Sequence, residues 1–283
     1  MLRSVLRSAS QQLTAARVGS PRMNAELLLM FTLGCDRAYL YAHPERELSP
    51  EEQARYQEAV RQRSQGIPAQ YITGHQEFWG LDLIVSPAVL IPRPETEHVI
   101  ERVLELHHST GSGFRRIVDV GTGSGSIALA LAKELPEAEI HATDISLSAL
   151  EIARANAARH QLEDRIHFHE SNLFDGLSSE VFDLVVSNPP YVGESEEDRV
   201  QLEVRRYEPR AAVFAGPTGL EVIERLLPQA QARLKRDGWL VLEISGTIAA
   251  ELPGLFTDWK NLTITKDLQG LPRVAAAQKS SRP

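Results

Sequence analysis

The chain has 283 residues, 42% of them hydrophobic, enough for one large domain and a smaller one. A net charge of −8 excludes a protein that lives by general attraction to nucleic-acid phosphates, which needs clustered Lys and Arg, but it leaves room for a protein partner bound to RNA. The one cysteine, Cys35, excludes an intrachain disulfide and supplies no zinc cluster, and apolar runs such as Ile127 to Ala132 and Leu184 to Val186 are too short to cross a bilayer.

Residues 1–75 read as a small helical domain. The first stretch is Arg- and Ser-rich with no acid before Glu26, a composition shared with mitochondrial transit peptides. Its apolar residues Leu2, Val5, Leu6, Ala9 and Leu13 fall on one side of a helix, and more helix follows without a linker, so the amphipathic helix is preferred. Ser20-Pro21 reads as a cap with proline at the first helical position, and Gly34 as the stop. Ser49-Pro50-Glu51-Glu52 is a capping box opening a helix that ends near Gly66.

The period then changes. Phe78, Trp79, Leu81, Leu83 and Val85 around Gly80 predict a short β-hairpin linking two domains, within a linker of residues 76–90. Pro94 suits the first residue of a helix, with Glu95 and Glu97 in its first turn. Strands follow at Arg116 to Val120, Ala138 to Thr143, near Ile166, Phe182 to Ser187, Trp239 to Ile244 and Leu262 to Lys266, with a last one at Arg273 to Ala277. Helices are expected over Ser126 to Leu135, from Ser146, and over Gly219 to Leu234; the final few residues look unordered. Strands alternating with helices imply βαβ units, an α/β class and a mostly parallel sheet.

Two motifs carry chemistry. Asp119-Val120-Gly121-Thr122-Gly123-Ser124-Gly125 follows a strand and opens a helix, where glycines allow a tight turn and close approach to a ligand. Asp144 ends the next strand and can accept hydrogen bonds from ribose hydroxyls. Gly123 to Ala128 also satisfies the dinucleotide fingerprint, which keeps a dehydrogenase open at this point. Three alternating glycines suit S-adenosylmethionine better, with Asp119 orienting the loop and meeting the methionine end of the cofactor.

The second motif, Asn188-Pro189-Pro190-Tyr191, follows the Phe182 to Ser187 strand, at the strand end where open α/β sheets bind ligands. Its prolines remove two N–H donors and leave carbonyl acceptors with little competition. Asn188 adds a side-chain acceptor and Tyr191 an aromatic face. Such a site suits an NH2 on a planar conjugated carbon: the amide of glutamine or the exocyclic amine of adenine or cytosine. A dehydrogenase has no use for it. A plain Asn-Pro turn is the bland alternative. No His, Cys or metal cluster announces itself as a base, and no metal is expected.

The chain resembles, over nearly its whole length, the bacterial peptide chain release factor glutamine N5-methyltransferases. Besides both motifs, the resemblance covers Gln70-Tyr71-Ile72-Thr73-Gly74, Glu77-Phe78-Trp79-Gly80-Leu81, Leu90-Ile91-Pro92-Arg93-Pro94-Glu95-Thr96-Glu97, Tyr207-Glu208-Pro209-Arg210 and Leu242-Glu243-Ile244. It implies a Rossmann-like class I methyltransferase domain over residues 91–283, with a seven-stranded sheet, behind a helical substrate-recognition domain. It implies S-adenosyl-L-methionine as cofactor, and as substrate the glutamine of the Gly-Gly-Gln motif in class I release factors, supporting translation termination. Gly121, Thr122, Gly123, Ser124, Gly125 and Asp144 would hold the cofactor with Asp119, Asn188, Asn172 and Leu173. Asn172 stands where the family often has an acid, and Leu173 where some members have an aromatic. Asn188 to Tyr191 would hold the amide, with Arg93 and Glu95 lining its channel. A cytoplasmic monomer touching neither membrane nor nucleic acid directly is expected. The alternatives are a methyltransferase of exocyclic amines in DNA or RNA, or of another protein glutamine, and a non-catalytic cofactor-binding adaptor.

Overall fold

A computed structural model describes residues 1–111, 113–177 and 180–280; the tail expected to be unordered falls outside this range from 281 on. The chain forms two compact units, one of Met1–His75 with Gln201–Tyr207, the other of Gln76–Val200 with the chain from Glu208 onward.

The first unit is helical: α1 (Leu2–Ala15), α2 (Pro21–Leu33), α3 (Arg37–Ala42), α4 (Pro50–Ser64) and α5 (Ala69–Thr73), with α9 (Leu202–Tyr207) contributed from far along the chain. The apolar side of α1 is buried through Leu2, Ala9 and Leu13, against Leu28, Leu29, Tyr56 and Val60. The Ser49 capping box is made in both directions, with Glu52 N donating to Ser49 Oγ and Ser49 N to Glu52 Oε2. Gly34 ends α2 at φ +62°. Ser20 does not cap as expected: it sits at φ +48°, and its side chain accepts no capping bond. Asn24 Nδ2 donates instead to the carbonyls of Gly19 and Ser20. Sequence offers no reason to place Gln201–Tyr207 in this unit. Arg63, nearly buried, pairs with Glu203 at 2.8 Å, and Tyr207 OH donates to Gln65 O at 2.9 Å.

The second unit begins with the hairpin of β1 (His75–Phe78) and β2 (Leu81–Ile84), turning on Trp79 at φ +52° and Gly80 at φ +68°. Two positive φ values match the twist of the flanking strands. The bulky Trp79 is held there by Glu97 Oε1 on its N–H and Glu134 Oε1 on its indole N–H. Asn156, fully buried, takes Ile84 N on Oδ1 at 2.6 Å and donates Nδ2 to Ile84 O and Ser124 O. One side chain thus fastens the hairpin to the glycine-rich turn.

Pro94 opens a 3-10 turn (Pro94–Thr96) that runs into α6 (Glu97–Ser109), rather than an α-helix directly. Then come β3 (Arg116–Val120), α7 (Ser126–Glu134), β4 (Glu139–Asp144), α8 (Leu147–Arg159), β5 (Ile166–Glu170) and β6 (Phe182–Ser187). Two short strands that sequence did not predict, β7 (Val192–Gly193) and β8 (Phe214–Gly216), pair with each other around α10 (Arg210–Val213). The chain closes with α11 (Glu221–Arg233), β9 (Leu234–Glu243), α12 (Leu252–Leu255), β10 (Trp259–Lys266) and β11 (Pro272–Lys279).

The main sheet has seven strands in the order β10-β11-β9-β6-β3-β4-β5; β11 is antiparallel to both neighbours and the others run parallel. This is the expected α/β, Rossmann-like class I arrangement. Alternation along the strands builds two cores: Ile117, Leu184, Val186 and Val241 face one, Val118, Val185, Leu240 and Leu242 the other. Among the described residues no helix is long and apolar enough to cross a membrane.

Asn156→Ala would leave three backbone groups without their partner. Unsatisfied buried groups cost about 1–3 kcal/mol each and relax in part, so a loss of about 2–3 kcal/mol is expected. Urea unfolding with an unchanged midpoint would contradict this.

Candidate active site

The parallel register brings four strand ends together. Asp119 pairs with Val186, Val120 with Thr143, and Asp144 with Glu170. The carboxyl ends of β6, β3, β4 and β5 therefore share one edge of the sheet, and Ser187 Oγ ties two of them by donating to Val120 O at 2.6 Å. Asn188, the glycine turn, Asp144 and Asn172 all follow these ends, as the crevice rule for parallel sheets requires.

The turn after β3 is fixed by the backbone of β4. Gly121 N and Thr122 N both donate to Thr143 O, and Gly123 N donates to Asp144 Oδ2 at 2.9 Å. Gly121 (φ +74°) and Gly123 (φ +56°) meet nothing where a Cβ would stand, so their open side is a cradle for a ligand. Gly125 serves packing instead: a Cβ there would lie 2.5 Å from Leu129 Cδ1. Thr122 and Ser124 point inward, Thr122 donating its hydroxyl to Asp119 Oδ2 and Ser124 lending its carbonyl to Asn156.

Asp119 is buried. Desolvation pushes its carboxyl up to about 7, against hydrogen bonds from Thr122 and the Ala128 N–H, with the Asp144 charge adding to the rise. Asp144 is raised as well, chiefly by burial; N–H groups of Ser146, Gly123 and Ile145 oppose the shift. Gly123 N donates to Oδ2 and Ser146 N to Oδ1, and the carboxylate still has lone pairs for hydroxyl donors. An open glycine cradle beside a half-buried carboxylate with spare acceptors fits a nucleoside with free ribose hydroxyls.

Asn188 donates Nδ2 to Thr96 Oγ1 at 3.2 Å, so its Oδ1 remains as the acceptor of the strand end. Tyr191 packs its ring on the second core, and its hydroxyl is already used, donating to Glu243 Oε1 at 2.9 Å. Behind this turn Gly219, at φ +90°, comes so close that a Cβ would sit 2.6 Å from Tyr191 O. Gly219 therefore lies before α11, not inside it as its spacing suggested; Glu221 Oε2 accepts its N–H at the helix start.

The other expected residues divide. Arg93 forms an ion pair with the buried Glu208, whose other oxygen accepts Ile91 N; the guanidinium anchors its own loop. Glu95 is partly exposed on the 3-10 turn and acts on Glu243 electrostatically. Asn172 Oδ1 accepts from Arg225 at 2.8 Å, and Leu173 holds φ +55°, a strained conformation costing about 1–3 kcal/mol. Sequence reasoning assigned no role to Thr96, Asn156, Glu208 or Glu243. The first, third and fourth lie in motifs that carry the resemblance, and Asn156 had no local signal at all. Among the described residues no group of His, Cys, Asp and Glu is arranged to hold a metal ion.

Asp119 binds a proton more tightly folded than unfolded. Its contribution to stability is therefore complete below the ordinary value near 3.8 and is lost as pH rises through about 7. Asp119→Asn lacks this titration. The stability of the wild type relative to the variant should fall steadily from about pH 4 to about pH 7 in urea titrations; a flat difference would refute the assignment.

Comparison with known proteins gives the family. The family model described as the PrmC N-terminal domain matches residues 4–74, and the methyltransferase small domain matches residues 102–205. A release factor glutamine methyltransferase of Koribacter versatilis is 53% identical over 98% of both chains. One of Rhodopirellula baltica is 40% identical over 92% of this chain and 90% of its own. In fold, the chain is similar to the hMettl16 catalytic domain, with a TM-score of 0.59 at 19% identity, over 87% of this chain and 93% of that one. With a methyl-transfer fold, an acceptor turn at the end of β6 and relatives of this identity along the whole chain, the protein belongs to the release factor glutamine methyltransferase family.

Proposed function

We propose that this enzyme transfers a methyl group from S-adenosyl-L-methionine to the side-chain amide nitrogen of the glutamine in the Gly-Gly-Gln motif of class I release factors. The observation that carries the reading is the orientation of Asn188 at the sheet end that also carries the glycine turn: its Nδ2 donates to Thr96 Oγ1, and among the described residues no donor meets its Oδ1. When bound, the cofactor supplies an electrophilic methyl on a sulfonium. The chain's own residues do the rest. Gly121 and Gly123 give the cofactor room, and Asp144 accepts its ribose hydroxyls. Asn188 Oδ1 and the Pro189 carbonyl accept hydrogen bonds from the substrate NH2. That grip fixes the direction of the nitrogen lone pair and raises its electron density, which an amide needs because the pair is delocalised. The methyl's bond to sulfur breaks as its bond to nitrogen forms, and the nitrogen then loses one proton to solvent.

A labelled-methyl assay offering a class I release factor and duplex DNA side by side tests the substrate. Label on the factor is expected; label on DNA would favour the exocyclic-amine reading, which the net charge of −8 opposes. In the same assay Asn188→Ala should lose about 100-fold in turnover with cofactor affinity nearly intact. Asp144→Ala should weaken cofactor binding about 10- to 100-fold by calorimetry. The reverse pattern would exchange the two roles.

The helical unit is proposed to read the release factor. One glutamine side chain offers too few atoms for recognition, whereas a stable protein contact buries about 1,200–2,000 Å². Exposed Arg3 and Arg7 of α1 line a concave surface floored by Leu6, Leu40 and Pro44. Replacing both arginines with glutamate should slow methylation of the intact factor and leave a short Gly-Gly-Gln peptide unaffected. Equal losses on both would refute a recognition role for this face.

A further inference from the structure

Between β2 and the 3-10 turn the chain forms neither helix nor strand, and Pro92 and Pro94 bring no N–H with which it could hold itself. Its first part is secured by Val89, Ile91 and Pro92, which are buried. Its second part is tied by Glu208, whose buried carboxylate accepts twice: Ile91 N on Oε2 at 3.1 Å and the Arg93 guanidinium on Oε1. From Arg93 the hydrogen bonds continue to the acceptor turn. Arg93 O accepts Thr96 N at 3.0 Å, and Thr96 Oγ1 accepts Asn188 Nδ2 at 3.2 Å. Thr96 stands where α6 begins, and the first buried side chain of α6 itself is Val99. A helix end frays unless the chain ahead of it is held.

We propose that Glu208 is a positioning residue for methyl transfer, which fixes the Asn188 amide by holding the segment that carries Thr96. The inference rests on the methyl-transfer reading of Asn188. Every step from Glu208 to Asn188 is a hydrogen bond of the structure or a stretch of three residues of chain. The chemistry of the tie also points to placement. A buried carboxylate carries a desolvation penalty that an apolar contact of the same size avoids. What an apolar contact lacks is direction. Two acceptor oxygens, one on a backbone N–H and one on a guanidinium, set both the position and the rotation of the segment. With that tie gone, Thr96 Oγ1 drifts from Asn188 Nδ2. The outer torsion of an asparagine has broad wells, so the amide turns and Oδ1 leaves the line on which it would hold the substrate NH2.

Glu208→Gln tests this with little change in shape, since glutamine offers one accepting oxygen to two donors. Turnover should fall about 10- to 100-fold, the size of effect expected from a misplaced reactant, with cofactor affinity unchanged. Thr96→Val should cost a similar factor. The double variant should be no more than about twofold slower than the slower single one, because both changes cut one path, whereas independent roles would multiply. Arg93→Gln, at a side chain 34% exposed, repeats the test from the other partner and carries it if Glu208→Gln does not fold. The side-chain amide resonances of Asn188, recorded without substrate, should shift in Glu208→Gln and Arg93→Gln; a merely structural tie would lower the melting temperature and leave them in place. This readout stands whichever NH2-bearing substrate the wild type methylates, so it separates a failure of the proposal from a failure of the release-factor reading. Turnover within about twofold of wild type in whichever of Glu208→Gln and Arg93→Gln folds, multiplied losses in the double variant, or unmoved Asn188 resonances would overturn the proposal.

Discussion

A chain leaving the carboxyl end of a parallel strand carries backbone N–H groups that no further ladder will satisfy, and burial makes each of them costly to leave alone. Here those groups settle the site. Thr143 O takes two of them from Gly121 and Thr122, and Asp144 takes one from Gly123 and one from Ser146. Meeting these demands bends the turn after β3 back toward β4 and leaves Gly121 and Gly123 open on the far side. The cradle is thus a by-product of hydrogen-bond satisfaction.

The same region concentrates unfavourable terms. Asp119, Asp144 and Glu243 all have carboxyls raised by burial, and Leu173 is held in a left-handed conformation. Such strain persists only where surrounding structure over-determines it. The two apolar cores on either face of the sheet supply that determination: Ile117, Leu184, Leu240 and Leu242 are fully buried directly beneath the strand ends.

Much of this was legible in the sequence because it is local. The alternating apolar residues of β3 and β6, the capping box at Ser49 and the glycine stop at Gly34 each announce themselves within a few positions. So do the glycine turn and the Asn188–Tyr191 turn. The illegible part depends on residues brought together from far apart. Asn156 reaches Ile84 across 72 positions, Arg93 reaches Glu208 across 115, and Asn188 reaches Thr96 across 92. Arg93 illustrates the limit: its motif gives no hint that its partner is the buried Glu208, 115 positions away. Ser20 failed for the opposite reason, since a residue suited to capping was carried into φ +48° by the turn before α2.

The placement of α9 has a consequence for the order in which the molecule is made. Synthesis runs at about 5–20 residues per second, so the chain between His75 and Gln201 takes on the order of ten seconds to appear. During that interval the first five helices are out of the ribosome without their sixth. Arg63 then has Asn24 and the Ile67 carbonyl but not Glu203, and the Gln65 carbonyl still lacks the hydroxyl of Tyr207. The helical unit, first to be translated, is therefore finished only after most of the sheet's parallel strands have emerged. A nascent chain halted between those two points would carry an N-terminal bundle with an open seam.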